Sequence, residues 1–546
     1  MTRHHERASS PIAVWGVLFS ALFTMWCSVA SASSTPTTPP TPTTPTTPRT
    51  PTTPRTQPNV VIMLADDLGW ADVGFHGGQI ETPSVDSLAR DGVQLDRFYV
   101  APICSPTRAA IMTGRDPLKL GIGYDQIHPW YNAGLAPDET TIAETFRAGG
   151  YQTGMVGKWH LGHTQEHQLP NAHGFEHFYG HLHTNTDFFT HKREGAHDLQ
   201  HNGNSVFEPG KYLTHIEARE AVRFIRERDQ DKPFFLYVPF TAPHSPMQAP
   251  PEVIEKYASL PAGKYRREYA AMVDQVDVAV GEILAEIERA GLSDDTIVIF
   301  LSDNGGSTPF GGQNQPLRGN KGEVFEGGIR VPAVMRWPGV LKAGDKFEQV
   351  TSGMDLLPTL AAAAQISVKT TRALDGQDMW SALRDGEVVP RAKPLYFVSE
   401  IPLPGYIQVG VIDVEMKLVQ RIFEGQTETR VQTYLFDLDA DPYEQTDLAK
   451  SRPEEAARLA TRIREWRSQH PMAGTRGTLV AHPGWVAPHD WADAVVPNAK
   501  LQPNWKNELP FSAELLKATE RRGVLVDEAT RKQLIDAEQD RRTQGR

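Results

Sequence analysis

Short apolar runs that end in polar residues recur along the middle of the chain. The run at 59–64 (NVVIML) leads into two aspartates, and similar runs occupy 153–162, 233–246 and 295–306. Runs of this length and composition are typical of strands buried on both faces of a sheet. Because the carboxyl ends of parallel strands meet at one edge, we expect the polar residues that follow them to converge on one site.

Helical patterns separate these strands. Residues 139–150 and 267–291 repeat apolar positions at helical spacing, and the first of these segments ends in two glycines. Strands that alternate with helices predict an α/β fold with a mostly parallel central sheet between helices. We expect this large domain to span residues 59–385.

The pattern changes after residue 385. The next strand candidates are 394–400, 410–423 and 433–444. A helical pattern follows at 453–469, so we expect a smaller C-terminal domain over 386–470, with an antiparallel sheet and a packing helix. Residues 471–546 are rich in Pro, Trp and charge, and they form a predicted C-terminal extension with a short helix near 525–540.

The N-terminal part of the chain cannot build a core. A basic lead, an apolar run at 12–29 and the small residues at 30–32 predict a signal peptide over 1–32. The alternative is an uncleaved anchor, because the run is near the minimum length of a spanning helix. Residues 33–58 are almost entirely Thr and Pro and predict an extended linker. We therefore expect a periplasmic or secreted protein.

Charge and cysteine content narrow the possibilities further. The net charge of -12 and a pI of about 5.9 argue against nucleic acid as a partner, because nucleic-acid binding needs a basic footprint. The chain has two cysteines, Cys27 and Cys104, and Cys27 lies in the removable segment. A mature chain with one thiol can form no intrachain disulfide, so its core must hold it together.

Cys104 lies in the stretch ICSPTRAAIMTGR, which predicts a helix with the cysteine at its N-terminus. Ser105 is the predicted cap, Pro106 suits the first turn and Gly114 ends the helix. A helix N-terminus and the nearby Arg108 favour an anion, so we expect this thiol to ionise easily. The alternative is an inert core cysteine.

A metal site is the natural interpretation of two other strand ends. Asp66 and Asp67 follow one predicted strand, and Asp303 and Asn304 follow another. These residues offer oxygen ligands alone, which suits Ca²⁺ or Mg²⁺ better than zinc. Each acidic pair could by itself be a helix cap or a solvated turn.

The sequence CSPTR followed by AAIMTGR resembles the signature of the type I sulfatases. Further segments that match this family, in its order, are DD at 66–67, GKWHLG at 157–162, PHSP at 243–246, SDNGG at 302–306, PLRGNKGEVFEGGIRVP at 316–332 and LFDLDADPYEQTDLA at 435–449. The resemblance implies an arylsulfatase-like sulfuric ester hydrolase, with a catalytic domain over 59–385 that is alkaline-phosphatase-like in fold. The expected substrate is a carbohydrate or aryl sulfate ester.

The resemblance also implies a modified residue. In this family the cysteine that corresponds to Cys104 is oxidised to formylglycine (3-oxoalanine), which makes a formylglycine-generating enzyme an expected partner. Formylglycine then becomes a further ligand of the metal, which we expect to be Ca²⁺, with Mg²⁺ as the alternative.

Five further positions match the family's catalytic cations and imidazoles. These positions are Arg108, Lys158, His160, His244 and Lys321. The resemblance implies that Arg108 and Lys158 hold the aldehyde hydrate and the bridging oxygen. His244, with Lys321, is expected to protonate the leaving alcohol, and His160 to take the proton that allows sulfate to be expelled.

More than half of the 19 histidines lie between 160 and 215. We expect these loop histidines to face solvent or line the substrate pocket rather than to bind a second metal. The segment GFEHFYGHLHTNTDFFTH resembles the arylsulfatase B-like branch of the family, which is also called the N-acetylgalactosamine-4-sulfatase branch. The resemblance is to an enzyme of bacterial type. Two alternative functions stay open: a phosphonate monoester or phosphodiester hydrolase of the same superfamily, and an inactive carbohydrate-binding homologue.

Overall fold

The computed structural model describes residues 57–469, apart from 262, 264, 402–405 and 425–427, together with residues 485–497. The predicted signal peptide or anchor, Cys27, nearly all of the linker and the predicted helix near 525–540 lie outside the described residues. Among the residues that the structure describes, no helix is both long and apolar enough to cross a membrane.

The helices, numbered in chain order, are α1 (Pro83–Asp91), α2 (Cys104–Thr113), α3 (Ile142–Ala148), α4 (Leu213–Glu227), α5 (Pro251–Lys256), α6 (Arg266–Arg289), α7 (Glu326–Ile329), α8 (Leu356–Ala363), α9 (Trp380–Asp385) and α10 (Pro453–Gln469).

The strands are β1 (Asn59–Ala65), β2 (Val93–Leu95), β3 (Phe98–Tyr99), β4 (Gln152–Lys158), β5 (His177–His181), β6 (Lys192–Arg193), β7 (Ala196–His197), β8 (Gln200–His201), β9 (Asn204–Ser205), β10 (Phe234–Pro239), β11 (Thr296–Ser302), β12 (Ala333–Arg336), β13 (Asp345–Phe347), β14 (Thr351–Ser352), β15 (Leu395–Ile401), β16 (Tyr406–Asp413), β17 (Met416–Glu424) and β18 (Thr429–Asp437).

The large sheet has the strand order β13-β2-β12-β11-β1-β10-β4-β5-β8-β9. Its centre is parallel: β1 pairs with β10 and β11, and β4 pairs with β10 and β5. Antiparallel neighbours, β12 beside β11 and β8 beside β5, flank this block. The predicted α/β fold with a mostly parallel sheet is confirmed, and the four predicted apolar runs form strands β1, β4, β10 and β11.

The central strand β1 shows why an unbroken apolar run was needed. Val60, Ile62 and Leu64 pack into the hydrophobic core on one face of the sheet, and Val61 and Met63 pack into the core on the other face. Side chains of a strand alternate between faces, so a strand covered on both sides needs apolar residues throughout. This double burial fixes the position of the polar residues that follow.

The smaller C-terminal sheet is antiparallel, with the order β15-β16-β17-β18. The prediction of one strand over 410–423 is wrong, because Val414 and Glu415 form a two-residue turn between β16 and β17. Val414 has a φ of 59°. Turns with a positive φ usually contain glycine and rarely a branched residue, so the sequence contained no signal for a turn at this valine. The predicted antiparallel sheet with a packing helix is otherwise confirmed.

Both faces of the C-terminal sheet are covered. Val409 and Leu418 pack with Leu459 and Ile463 of α10 on one face. On the other face, Val419 belongs to a cluster with residues 324–329 of the large domain. The C-terminal domain is therefore joined to the large domain through an apolar core.

Candidate active site

The two predicted acidic strand ends lie side by side. Asp66 and Asp67 follow β1, and Asp303 follows β11, the parallel neighbour of β1. The backbone N–H of Asp303 donates to the carbonyl of Ala65 (3.0 Å), and the N–H of Asp67 donates to Oδ1 of Asp303 (3.2 Å). Residues more than 230 positions apart in the chain thus meet at one edge of the sheet.

Two overlapping groups of possible metal-ligand atoms form at this edge. One group joins Asp66, Asp67 and His244, and the other joins Asp66, Cys104 and Asp303. Within each group all the ligand atoms lie within 4.8 Å of one another, and all the residues are buried. The structure therefore brings four of the five predicted ligand residues into these two groups.

Asn304, the fifth predicted ligand residue, lies in the same cluster. Its Nδ2 donates to Oδ1 of Asp67 (2.7 Å), while its own Oδ1 and that of Asp66 are buried without a hydrogen-bond partner in the described part of the chain. Burial, followed by the neighbouring Asp66, raises the pKa of Asp303. A hard divalent cation fits these residues, because it would coordinate the lone oxygens and offset repulsion between the carboxylates.

Cys104 is the first residue of α2. Ile103 before it is extended, and Gly114 ends the helix in the left-handed conformation (φ 64°) with its N–H donating to the carbonyl of Ala110 (2.8 Å). The predicted helix and its glycine terminus are therefore both present. The cysteine therefore stands at the helix N-terminus, where the first backbone N–H groups have no partner within the helix.

Ser105 does not have its predicted role as the cap of α2. No side chain caps α2; the hydroxyl of Ser105 donates to the carbonyl of His160 (3.0 Å) and accepts from the N–H of Ile127 (3.1 Å). The prediction of a Ser105 cap is wrong because the helix begins at Cys104, two residues before the start that a cap at Ser105 would give. Ser105 instead joins two loops around the cysteine.

The thiol of Cys104 is fully buried. Burial raises its pKa, and the opposing effects of Lys158 and Lys321 do not reverse that direction. The prediction of an easily ionised thiol is therefore wrong, since loss of water outweighs the favourable charges. Its Sγ lies 3.7 Å from Oε1 of Gln126.

Arg108 and Lys158 are fully buried next to the carboxylates of Asp303 and Asp66. Nε and Nη2 of Arg108 donate to Oδ2 of Asp303 at 3.0 and 2.8 Å, and Nη1 donates to the carbonyl of Lys158 at 2.8 Å. Nζ of Lys158 donates to Oδ2 of Asp66 (2.5 Å). Each cation is paired with a carboxylate, which offsets the cost of burying its charge.

Lys321 reaches the cluster from a separate loop. Its Nζ lies 2.7 Å from Oδ1 and 2.9 Å from Oδ2 of Asp67. Burial alone would lower the pKa of Lys321, but Asp67, Cys104 and Asp66 raise it above its ordinary value. The ammonium therefore stays charged.

The C-terminal sheet holds the loop that carries Lys321. The side-chain oxygen of Gln408 on β16 accepts a hydrogen bond from the backbone N–H of Val324. Lys417 on β17 is fully buried and lies 2.8 Å from Oε1 of Glu326. These contacts link the second domain to an active-site cation.

His160 follows β4 in the left-handed conformation (φ 61°). Its Nε2 lies 3.0 Å from the carbonyl of Ile127 and 3.1 Å from the hydroxyl of Thr184. A carbonyl can only accept, so Nε2 carries the proton, and Nδ1 has no hydrogen-bond partner among the described residues. Burial, followed by Lys158 and Arg108, lowers the pKa of this imidazole well below its ordinary value. His160 is therefore neutral, with an unprotonated Nδ1.

His244 faces the cluster from the loop after β10. Its Nδ1 donates to the carbonyl of Ser245 (2.8 Å), and its Nε2 lies 3.7 Å from Oδ2 of Asp67. Burial, followed by the nearby Lys321, lowers the pKa of His244 well below its ordinary value. The neutral ring presents an unprotonated Nε2 to the cluster.

The histidine-rich stretch is largely interior. Its buried members include His163, His167, His173, His181, His183, His191 and His197. Of the two expected environments, solvent is wrong for these residues, and the substrate pocket stays a prediction. The stretch includes the inner strand β5 and packed turns around it, which hydropathy alone does not distinguish from exposed loops.

Two polar residues beside the cluster were not predicted. Gln126 contacts the thiol of Cys104, and Thr184 contacts Nε2 of His160. Neither follows a central parallel strand directly or belongs to a periodic segment, so the pattern of the sequence contained no signal for them.

Two family models match the chain. The model described as Sulfatase matches residues 58–366. The model described as N-sulphoglucosamine sulphohydrolase, C-terminal, matches residues 320–469. Together they cover both described domains.

Similar proteins are named sulfatases. Arylsulfatase J of Mus musculus is 33% identical over 457 residues, which are 75% of this chain and 76% of that protein. N-acetylgalactosamine-6-sulfatase of Homo sapiens is 34% identical over 369 residues, which are 62% of this chain and 68% of that protein. The solved structure of Ps i-CgsB in complex with k-i-k-neocarrahexaose is 32% identical with a TM-score of 0.70, and the match covers 79% of this chain and 95% of that one.

Carboxylates and fixed cations around one buried cysteine suit the hydrolysis of an oxyacid ester, and the fold and the site together define a hydrolase with a candidate metal site. With a family model over 58–366 and arylsulfatase J at 33% identity, the chain belongs to the sulfatase family and is a sulfuric ester hydrolase. The predicted resemblance to the type I sulfatases is confirmed. The family is metal-dependent, and the acidic cluster is its candidate site here.

Proposed function

We propose that this sulfatase releases inorganic sulfate from sulfated saccharides in the periplasm or after secretion. The observation that carries the proposal is the position of Cys104, which lies with Asp66 and Asp303 at the strand ends, next to buried cations. The substrate class draws support from the names of the similar proteins, which include a sulfatase of N-acetylgalactosamine and an enzyme solved with a neocarrahexaose.

The cofactors follow from the donor atoms. Asp66, Asp67, Asp303 and Asn304 would hold Ca²⁺, with Mg²⁺ as the alternative, because their available donors are oxygens. Cys104 would join them after its oxidation to formylglycine by a formylglycine-generating enzyme. The bound cation would polarise the sulfate ester, and the hydrated aldehyde would supply the attacking hydroxyl.

The cations stabilise developing negative charge. Arg108, Lys158 and Lys321 are each held by a carboxylate before substrate arrives, so they need little reorganisation when charge develops on the sulfuryl oxygens. The burial of Arg108 and Lys158 excludes water and strengthens this effect.

The two histidines move protons at opposite ends of the reaction. His244 takes up a proton when the anionic ester offsets the field of Lys321, and its Nε2 donates that proton to the leaving alcohol. His160 uses its unprotonated Nδ1 to accept the proton whose removal allows sulfate to leave the oxidised Cys104.

Product identity across a substrate panel tests the proposal. The panel contains 4-nitrophenyl sulfate, N-acetylgalactosamine 4-sulfate, k-i-k-neocarrahexaose, 4-nitrophenyl phenylphosphonate and bis(4-nitrophenyl) phosphate. We expect sulfate release from a saccharide, a lower kcat/KM for both phosphorus compounds, and no turnover by Cys104→Ala. A higher kcat/KM for a phosphorus compound would favour a phosphonate monoester or phosphodiester hydrolase. Saccharide binding without turnover by the mature enzyme would favour an inactive homologue.

A further inference from the structure

Residues 485–497, named the C-terminal strap here, cross the histidine-rich loops beside the active site. Val496 forms two backbone hydrogen bonds with the segment 164–166, both 2.9 Å long. Nearer the start of the strap, the N–H of Trp491 donates to the carbonyl of His197 (3.0 Å). The strap is therefore attached to the large domain at two separate points.

The side chain of Trp491 anchors the strap. It is 4% exposed, and its Nε1 donates to the carbonyl of Arg193 (3.2 Å). Its ring lies 3.9 Å from the ring of His183 and 5.6 Å from that of His163, measured between centroids. His183 is followed in the chain by two residues that contact His160 and a hydrogen-bond partner of His244.

Those two residues are Thr184 and Asn185. The hydroxyl of Thr184 lies 3.1 Å from Nε2 of His160. Nδ2 of Asn185 donates to the carbonyl of Ser245 (2.6 Å), the same carbonyl that accepts from Nδ1 of His244. The segment in contact with Trp491 thus leads to His160 directly and to His244 through the carbonyl of Ser245.

The strap also adds to a row of indole rings at the edge of the site. Trp485 is half-buried, and its ring lies 5.9 Å from that of Trp130 and 6.4 Å from that of Trp491. Trp130 lies three residues after Ile127 in the chain. The carbonyl of Ile127 lies 3.0 Å from Nε2 of His160. The row therefore starts in the loop that contacts His160 and continues into the strap.

We propose that the strap forms a saccharide-binding subsite beside the active site, in which Trp485 packs against a sugar ring next to the sulfated one. A pyranose presents apolar C–H groups on its face and hydroxyls at its edge, and a half-buried indole offers a flat apolar surface with a polar N–H. The ligand must place a sulfate ester at the metal cluster and an apolar face at the row of indoles. An oligosaccharide sulfate meets both requirements, so this inference rests on the proposed saccharide substrate.

Trp491 and Trp485 have different parts in this subsite. Trp485 would contact the sugar, so its loss should act on longer substrates. Trp491 is a positioning residue, because it is covered and acts through His183 on Thr184 and Asn185. Its loss should act on every substrate.

Trp485→Ala tests the subsite. We expect the ratio of kcat/KM for k-i-k-neocarrahexaose to kcat/KM for 4-nitrophenyl sulfate to fall about tenfold, which corresponds to one lost stacking contact. Val486→Ala is the matched control, since this neighbouring side chain is 82% exposed, and it should leave the ratio unchanged. An unchanged ratio in Trp485→Ala, or an equal fall in both variants, would overturn the inference.

Binding separates the subsite from the proposed function. In a Cys104→Ala background, calorimetry with the hexasaccharide should give a Kd about tenfold higher for Trp485→Ala than for Trp485. If the mature enzyme hydrolyses no saccharide but this difference is found, the proposed function fails and the subsite stands. If saccharides are hydrolysed and the two Kd values agree, the subsite fails and the proposed function stands. If neither hydrolysis nor binding of the hexasaccharide occurs, both are overturned.

Hydrogen exchange tests whether Trp491 positions Thr184 and Asn185. Trp491→Ala should lower kcat for both substrates and speed amide exchange in residues 182–185, while exchange in the distant strands β16 and β17 stays the same. Trp491→Phe should recover most of both effects, because an aromatic ring still covers His183. Faster exchange throughout the protein would indicate general destabilisation and would contradict a positioning role.

Discussion

Gly322 donates its backbone N–H to the carbonyl of Pro102 at 2.8 Å, and this bond ties the Lys321 loop to the turn two residues ahead of Cys104. The C-terminal sheet holds the same loop through Gln408. The position of Lys321 relative to Cys104 therefore depends on contacts from both domains.

Gln408→Leu should lower kcat about tenfold, because displacement of Lys321 would remove about 1.4 kcal/mol of transition-state stabilisation. Gln420→Leu on β17 is the control, since this side chain donates to Thr433 within the C-terminal sheet and does not contact the loop. Steady-state kinetics and thermal unfolding of both variants check the prediction. An equal loss of kcat in the two variants would show that the effect comes from the sheet in general.

The state of Cys104 can be read from its tryptic peptide, residues 98–108. If the residue is oxidised, this peptide should have the mass of the aldehyde or its hydrate and should not react with a thiol reagent after denaturation. Denaturation is needed because the residue is buried in the folded protein. An alkylatable thiol in fully active enzyme would contradict the assignment.

Removal of divalent metal should abolish turnover and lower Tm, because the converging carboxylates would then repel one another without a cation. Ca²⁺ or Mg²⁺ should restore both properties better than Zn²⁺, which prefers nitrogen and sulfur ligands. Asp66→Asn should weaken the recovery, and Asp231→Asn, on an exposed turn, should not. Full activity in metal-free protein would rule out the site.

The strand ends could be predicted from the sequence, and the environment around them could not. The apolar runs before Asp66 and Asp303 fixed which residues would meet, because parallel strands end at one edge. The high pKa of Cys104 could not be foreseen, since it depends on burial by distant segments. The same holds for Gln126 and Thr184, which reach the site from loops without a repeating pattern.

The two imidazoles should fail in different ways. His244→Ala should slow release of poorly activated alcohols, such as sugars, much more than release of 4-nitrophenol, which leaves without a proton. His160→Ala should allow the first alcohol to leave and then slow the release of sulfate, which gives a burst of alcohol followed by slow turnover. Stopped-flow measurement of nitrophenol and parallel measurement of sulfate distinguish the two. Equal loss on all leaving groups, without a burst in either variant, would mean that these roles are wrong.

Stability should depend on pH through Asp116. Its Oδ2 accepts from Nε1 of Trp466 (2.5 Å), its Oδ1 accepts from the N–H of Leu118 (2.9 Å), and burial raises its pKa from 3.8 to about 6. The folded state thus holds this proton more tightly than the unfolded state. The resulting stabilisation is fully present below about pH 3.8 and is lost as pH rises through about 6.

Asp116→Asn should remove that part of the pH dependence. The difference in unfolding free energy between the variant and the unsubstituted protein should change by up to about 3 kcal/mol between pH 4 and pH 7, in favour of the variant at the higher pH. Urea unfolding at several pH values measures it, with Asp231→Asn as the exposed control. A difference that does not change with pH would show that Asp116 titrates normally.

Asp67 and His160 both adopt left-handed backbone conformations, with φ of 69° and 61°. For residues other than glycine such conformations cost on the order of 1 kcal/mol each. A lineage selected only for resistance to heat would therefore be expected to substitute glycine or asparagine at these two positions and to lose turnover as it did so. Stability and the proposed chemistry would thus place opposite demands on these two residues.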